Sequence, residues 1–103
     1  MLSVLPGTWK EEDGTLYTYL PDGTESVTWT EKGLLSDTVI NVTLKWQVID
    51  GHLYETVTGS NAPNRAPVGM SISSEIHILN SQEFVFKDGI QNKEKRLVRT
   101  SNR

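Results

Sequence analysis

The chain predicts an all-β fold, an eight-stranded antiparallel up-and-down barrel with no substantial helix, and three observations carry that expectation. Apolar and polar residues alternate at period two through most of the 103 residues, tight-turn dipeptides recur at short intervals, and the two ends carry matching signals. Gly7-Thr8-Trp9 opens the first predicted strand and Lys95-Arg96-Leu97-Val98-Arg99 lies on the last. A tryptophan at one end of such a meander and an arginine at the other are what a closed barrel can use to seal its floor.

The alternation is longest from Thr38 to Asp50. Thr38, Ile40, Val42, Leu44, Trp46 and Val48 share one face there, against Asn41, Thr43, Lys45 and Gln47 on the other. Val27 and Trp29 alternate with Ser26, Thr28 and Thr30. Met70, Ile72, Ile76 and Ile78 alternate with Ser71, Ser73, Glu75 and His77, and Phe84 and Phe86 continue the pattern. All these apolar residues are expected to face inward. Asp13-Gly14, Pro21-Asp22-Gly23, Asp50-Gly51, Asn80-Ser81 and Asp88-Gly89 separate the runs, where Gly or Asn takes the positive φ of a tight hairpin. The expected strands are 7–12, 15–20, 24–31, 38–49, 52–58, 69–79, 82–87 and 93–100, in a single domain over 1–103. At most a turn of helix is expected, near Gly33-Leu34-Leu35-Ser36.

Eight hairpin-linked strands cannot bury one face as a flat sheet without a second layer, and no helix is predicted to supply it. Closure into a barrel buries that face and removes both edges. A two-layer sandwich competes, but its crossovers need longer connections than most of these turns provide.

Composition excludes several classes. With 36% hydrophobic and 22% charged residues the chain has the balance of an ordinary globular domain. It has no cysteine, so neither disulfides nor thiolate metal sites are available. No run approaches the ~18 apolar residues of a membrane span, and the first five residues are too short and uncharged for a signal peptide. The chain as it stands reads as soluble and cytoplasmic, with a periplasmic or secreted origin open if a leader was removed. The net charge of -3 argues against general nucleic-acid affinity. Residues 1–55 hold nine acids against three lysines, whereas residues 56–103 hold four acids against seven bases. The basic excess of Lys93, Lys95, Arg96, Arg99 and Arg103 is expected to lie across from Lys10-Glu11-Glu12-Asp13 when the last strand pairs with the first.

Leu5-Pro6-Gly7-Thr8-Trp9, followed by a hairpin meander and by Arg96-Leu97-Val98-Arg99 near the end, resembles the calycin superfamily, in particular small bacterial lipocalin-like domains. The resemblance implies that Trp9 plugs one end of the barrel and that Arg96 or Arg99 packs across its indole. It also implies a small apolar or amphipathic molecule held inside the barrel. The long helix of larger lipocalins and the helical lid of fatty-acid-binding relatives have no counterpart in this sequence. Avidin-like proteins also begin with Gly-Thr-Trp, but the rest of their site finds no match here.

The inward side chains are large, and an empty cavity of ~300 Å³ would cost ~7 kcal/mol, against a domain stability of ~5 to 15 kcal/mol. The interior is therefore expected to be mostly filled, with a small pocket at the mouth opposite Trp9. Alternate turns fall at opposite ends, which puts 13–14, 32–37, 59–68 and 88–92 around that mouth. The candidate ligand-binding residues are Trp29, Trp46, Tyr17, Tyr19 and Arg65. Tyr17 and Tyr19 alternate with Leu16 and Leu20, so either pair could face inward. Arg65 is the one charge of the longest loop, suited to clamp a carboxylate or to stay solvated.

No nucleophile elbow or catalytic constellation is present, and neither enzymatic activity nor a cofactor is expected. His52, His77 and Glu75 could approach one another across paired strands, but their polar face favours a solvated pair over zinc. Only these two histidines could serve a haem-handling barrel as axial ligands. The expected function is a non-enzymatic binding module for a small ligand. A protein-binding module of the protease-inhibitor kind, using Met1-Leu2-Ser3-Val4-Leu5-Pro6, is the alternative. Oligomeric state is left open.

Overall fold

The period-two segments become eight strands that close on themselves in chain order. They are β1 (Gly7–Glu11), β2 (Leu16–Tyr19), β3 (Thr24–Glu31), β4 (Thr38–Ile49), β5 (His52–Ser60), β6 (Ser71–Leu79), β7 (Glu83–Lys87) and β8 (Glu94–Ser101). Every neighbouring pair is antiparallel, and β1 pairs with β8 to complete a closed barrel in this computed structural model, which describes residues 4–101. Arg103 and the first three residues of the proposed partner-binding arm lie outside the described residues.

Turn chemistry sets the register. Asp50 and Gly51 both take positive φ, 50° and 76°, so β4 and β5 meet in the kind of two-residue hairpin whose twist matches the flanking strands. Asp13, Asp22 and Asn80 each accept a backbone N–H two residues on, from Thr15, Thr24 and Gln82, and thereby tie down three further turns. Residues 32–37 form no helical turn. That connection is irregular, and Leu34 and Leu35 point fully into solvent.

The seam between first and last strands aligns Trp9 with Arg99, Lys10 with Val98 and Glu11 with Leu97. Lys93, Lys95 and Arg96 share an outer groove with Lys10, Glu11, Glu12 and Asp13, as expected from the charge distribution. The ion pair that Arg96 makes, however, goes to Glu83 on β7, its other neighbour.

Two apolar clusters fill the barrel. One contains Leu5, Trp9, Trp46, Leu53, Phe84 and Leu97 and makes the floor. The other gathers Ile40, Val42, Leu44 and Val57 beneath Ala62 and Ala66 and lies toward the mouth. One inward assignment fails: Ile78 is exposed, and Leu79 packs on the floor in its place. The register of β6 against β7 slips between Ile76 and Ile78, so His77 is the extra residue of a bulge and the alternation inverts after it.

Candidate functional site

The floor is built first, because it decides where an opening remains. Gly7 has φ 137°, a region that disfavours a side chain, and this bends the chain so that Leu5 and Trp9 are both fully buried. The Trp9 Nε1–H donates to the Leu5 carbonyl at 2.8 Å. Of the two candidate arginines it is Arg99 that covers the indole, its guanidinium 4.3 Å from the ring centroid. The same guanidinium donates to the carbonyls of Ser81 at 2.7 Å and Pro6 at 3.0 Å, and to that of Val4. Trp46 belongs to this floor as well. Its ring meets Tyr19 edge-on at 5.8 Å, and its Nε1–H is shared between the carbonyls of Leu20 and Thr24. It does not line the cavity, in contrast to the ligand contact that the sequence suggested.

Above the floor a cavity of about 180 Å³ reaches toward the opposite end. Tyr17 and Tyr19 both point into it, while Leu16 and Leu20 face solvent, which resolves the ambiguity of that strand. Trp29, Leu44, Met70, Ile72 and Phe86 complete most of its apolar wall. Arg65 stands at the mouth, but its guanidinium is already engaged by Glu31, with Nε–Oε2 2.7 Å and Nη2–Oε1 2.8 Å. Trp29 Nε1–H donates to the same carboxylate at 3.3 Å. The segment carrying Arg65 makes one helical turn, with Ala66 N–H donating to the Ala62 carbonyl at 3.0 Å, and both alanines are buried. A short cap thus lies over part of the mouth, latched to β3 by Arg65 and Glu31. Across the mouth, Gly89 passes so close to β6 that a Cβ there would stand 1.9 Å from the Ser73 carbonyl oxygen. That contact holds the segment carrying Asp88 and Ile90 at the rim.

The interior also contains acids. Glu25 on β3 and Glu55 on β5 face inward and are 2% and 8% exposed. Neither carboxyl oxygen of Glu25 makes a hydrogen bond of ordinary geometry among the described residues, although the Glu55 carboxyl and the Tyr19 hydroxyl approach it closely enough to interact. Burial, and then the neighbouring charge of Glu55, push the Glu25 carboxyl well above the ordinary carboxylate range. Burial also raises Glu55, while its interaction with the Glu25 carboxyl and, less strongly, Lys95 at the cavity wall pull the other way. Tyr17 and Tyr19 stay protonated at any ordinary pH, chiefly through burial. Tyr17 donates its hydroxyl proton to Glu11 Oε1 at 2.7 Å, and Tyr19 feels the charge of Glu25.

Among solved structures, the chain is similar to a lipocalin-like protein from Bacteroides uniformis, with a TM-score of 0.70 over 92% of this chain and 97% of the other. The fold is lipocalin-like. Sequence identity in that comparison is 10%, so the likeness concerns the path of the backbone. No protein-family model and no curated protein matches the chain.

Elsewhere on the lipocalin-like barrel, the histidines stay outside. His52 is paired in register with Glu75, and His77 is held between Glu75 (Nε2–Oε1 3.1 Å) and Glu94 (Nδ1–Oε2 2.8 Å). Among the described residues no three His, Cys, Asp or Glu side chains come together as a metal would require. The residues that sequence reasoning missed are Glu25, Glu55, Asp88 and Lys95. Parity held a signal for the first two: Glu25 shares its face with Val27 and Trp29, and Glu55 shares its face with Leu53 and Val57.

Proposed function

We propose that this lipocalin-like barrel is a non-enzymatic binding module that holds one small amphipathic molecule in the cavity between the Trp9 floor and the Arg65 cap. The observation that carries this reading is the cavity itself: about 180 Å³, walled by aromatic and aliphatic side chains, in an otherwise close-packed barrel. Cavities of about 150 Å³ accommodate benzene, so the volume suits a molecule of roughly one ring with a short tail. A sterol or a long-chain fatty acid is too large to be enclosed. Convergent polar groups on an otherwise apolar wall are the usual composition of a small-molecule site. Val4 and Pro6 are tied to Arg99 and Leu5 is fully buried, so these residues serve as the underside of the floor. No observation favours their use as a free arm for a protein partner.

Titration with linear alcohols from butanol to decanol, followed by tryptophan emission and calorimetry, tests the reading. Trp29 lines the cavity whereas Trp9 and Trp46 lie in the floor, so replacing Trp29 by Phe should remove most of the signal. Affinity should rise with chain length and then stop rising once the cavity is full. Absence of heat and of any spectral change across the whole series would reject the proposal.

A further inference from the structure

The pair Glu25–Glu55 has no structural explanation in a cavity that only accepts apolar matter. Burying a carboxyl without a good hydrogen bond is costly, and a wall meant only to be apolar would carry leucine or valine at these positions. The cations nearest the cavity leave Glu25 uncompensated. Arg65 is committed to Glu31, and Lys95 is half-buried at the wall beside Glu55. Glu25 lies behind the cavity wall, aligned in register with Tyr19 on β2 and Leu44 on β4, whose side chains line it. Glu55 lines it directly. Around the same space stand Tyr17, Trp29 and Phe86, whose ring faces attract a cation while their edges pack against a hydrocarbon tail.

We infer that the ligand is a small primary amine with an apolar, ring-sized tail, whose ammonium group lies between Glu55 and Glu25 while the tail occupies the space toward Trp29 and the cap. This inference rests on the binding-module reading and narrows its ligand to a chemical class. An ammonium group supplies three donors, and the Glu25 oxygens make no hydrogen bond of ordinary geometry without it, only the looser approach of the Glu55 carboxyl and the Tyr19 hydroxyl. Burial raises both carboxyls in the unliganded barrel, and the neighbouring charge of Glu55 raises Glu25 further, so Glu25 is the member of the pair that more readily holds a proton. Binding of R–NH₃⁺ replaces that proton: the Glu25 carboxyl releases H⁺ to solvent and the charge of the carboxylate is taken up by the ammonium. The groups that face the pair are Tyr19, Tyr17, Asp88 and Lys95. The two tyrosines remain neutral, which leaves the carboxyls as the source of the released proton.

Three ligands of nearly equal shape separate the outcomes: phenethylamine, phenethyl alcohol and hydrocinnamate, titrated calorimetrically into the full chain in buffers of different ionisation enthalpy. The amine should bind about ten-fold more tightly than the alcohol, in line with a hydrogen bond to a charged group, and should release up to about one proton. In Glu25→Gln and Glu55→Gln the ratio of amine to alcohol affinity should collapse toward one. Equal or tighter binding of the alcohol or of hydrocinnamate by the unaltered protein would overturn the amine assignment and leave the binding-module reading standing. Failure of all three to bind, together with failure of the linear alcohols, would overturn both. The unaltered protein decides between these results by itself, so a variant that folds poorly does not protect the inference.

Discussion

Glu25 places a carboxyl group among Tyr19, Leu44 and Glu55 with no hydrogen bond of ordinary geometry to its oxygens among the described residues. Its ordinary value in an unfolded chain is ~4.3, and its folded value lies well above that. Between those two values the folded protein holds more protons than the unfolded one, so stability must fall as pH rises through that window. The slope is up to about 1.4 kcal/mol per pH unit for each proton. Glu25→Gln removes this term. The variant should be more stable than the parent by about 1 to 3 kcal/mol at alkaline pH and nearly equal to it below the unfolded value, as read from urea midpoints across pH. A variant less stable than the parent at alkaline pH would show that the charge is compensated in the folded state. His77 shifts in the same direction for a different reason: contacts with Glu94 and Glu75 favour its charged form and raise its value, so an NMR titration should place its midpoint above the ordinary ~6.5. At this scale the sequence was only partly legible. Period two assigns Glu25 and Glu55 to the inner face as firmly as it assigns Val27 and Val57. What parity cannot reveal is that Glu55 borders a cavity and that Glu25 is buried beside it.

The cap over residues 61–69 is the element most closely tied to ligand traffic. It is anchored at one end by Asn61, whose side chain accepts from Asn41 N–H at 2.9 Å and donates to the Val39 carbonyl at 3.0 Å. At the other end Gly69 N–H donates to the Val57 carbonyl at 2.8 Å. Between these anchors the bidentate Arg65–Glu31 pair is the polar tie to β3, and both partners are partly exposed. An exposed pair contributes ~0.2 to 1 kcal/mol, so Glu31→Gln should leave global stability almost unchanged. Dissociation of a bound alcohol should quicken by about two- to five-fold, measured by stopped-flow on the Trp29 signal. An unchanged off-rate would mean that ligands leave by another route. Loop length and a solitary arginine mark this segment in the sequence, yet its partner is 34 positions away and only the barrel's curvature brings them together. The bulge at His77 was invisible for a related reason. Ile78 and Leu79 are adjacent apolar residues, either of which could face inward, and the extra residue is defined only by what β7 presents opposite.

For the whole molecule, closure depends on the seam between β1 and β8, and Arg99 is its principal fastening. It stacks on Trp9 and binds three backbone carbonyls, from Val4, Pro6 and Ser81. Arg99→Ala should cost about 2 to 4 kcal/mol, with the loss identical by far-ultraviolet dichroism and tryptophan emission because one sheet carries the entire fold. Arg99→Lys should recover little of it, since a single ammonium cannot both cover the ring and span three acceptors. This level of organisation was the most legible in advance. Gly7, Trp9 and the terminal arginines encode closure with residue types that have few other uses, and the strand limits follow from turn residues with defined backbone demands. The volume left inside was less legible, because it depends on how side chains from all eight strands interlock. β1 starts and β8 finishes beside the Trp9 floor, with Thr8 aligned against Ser101, so the first and last strands both open on the side away from the cap. A tether joined at either end to a solid support would therefore present every copy with its aperture outward, ready to sample the surrounding solution.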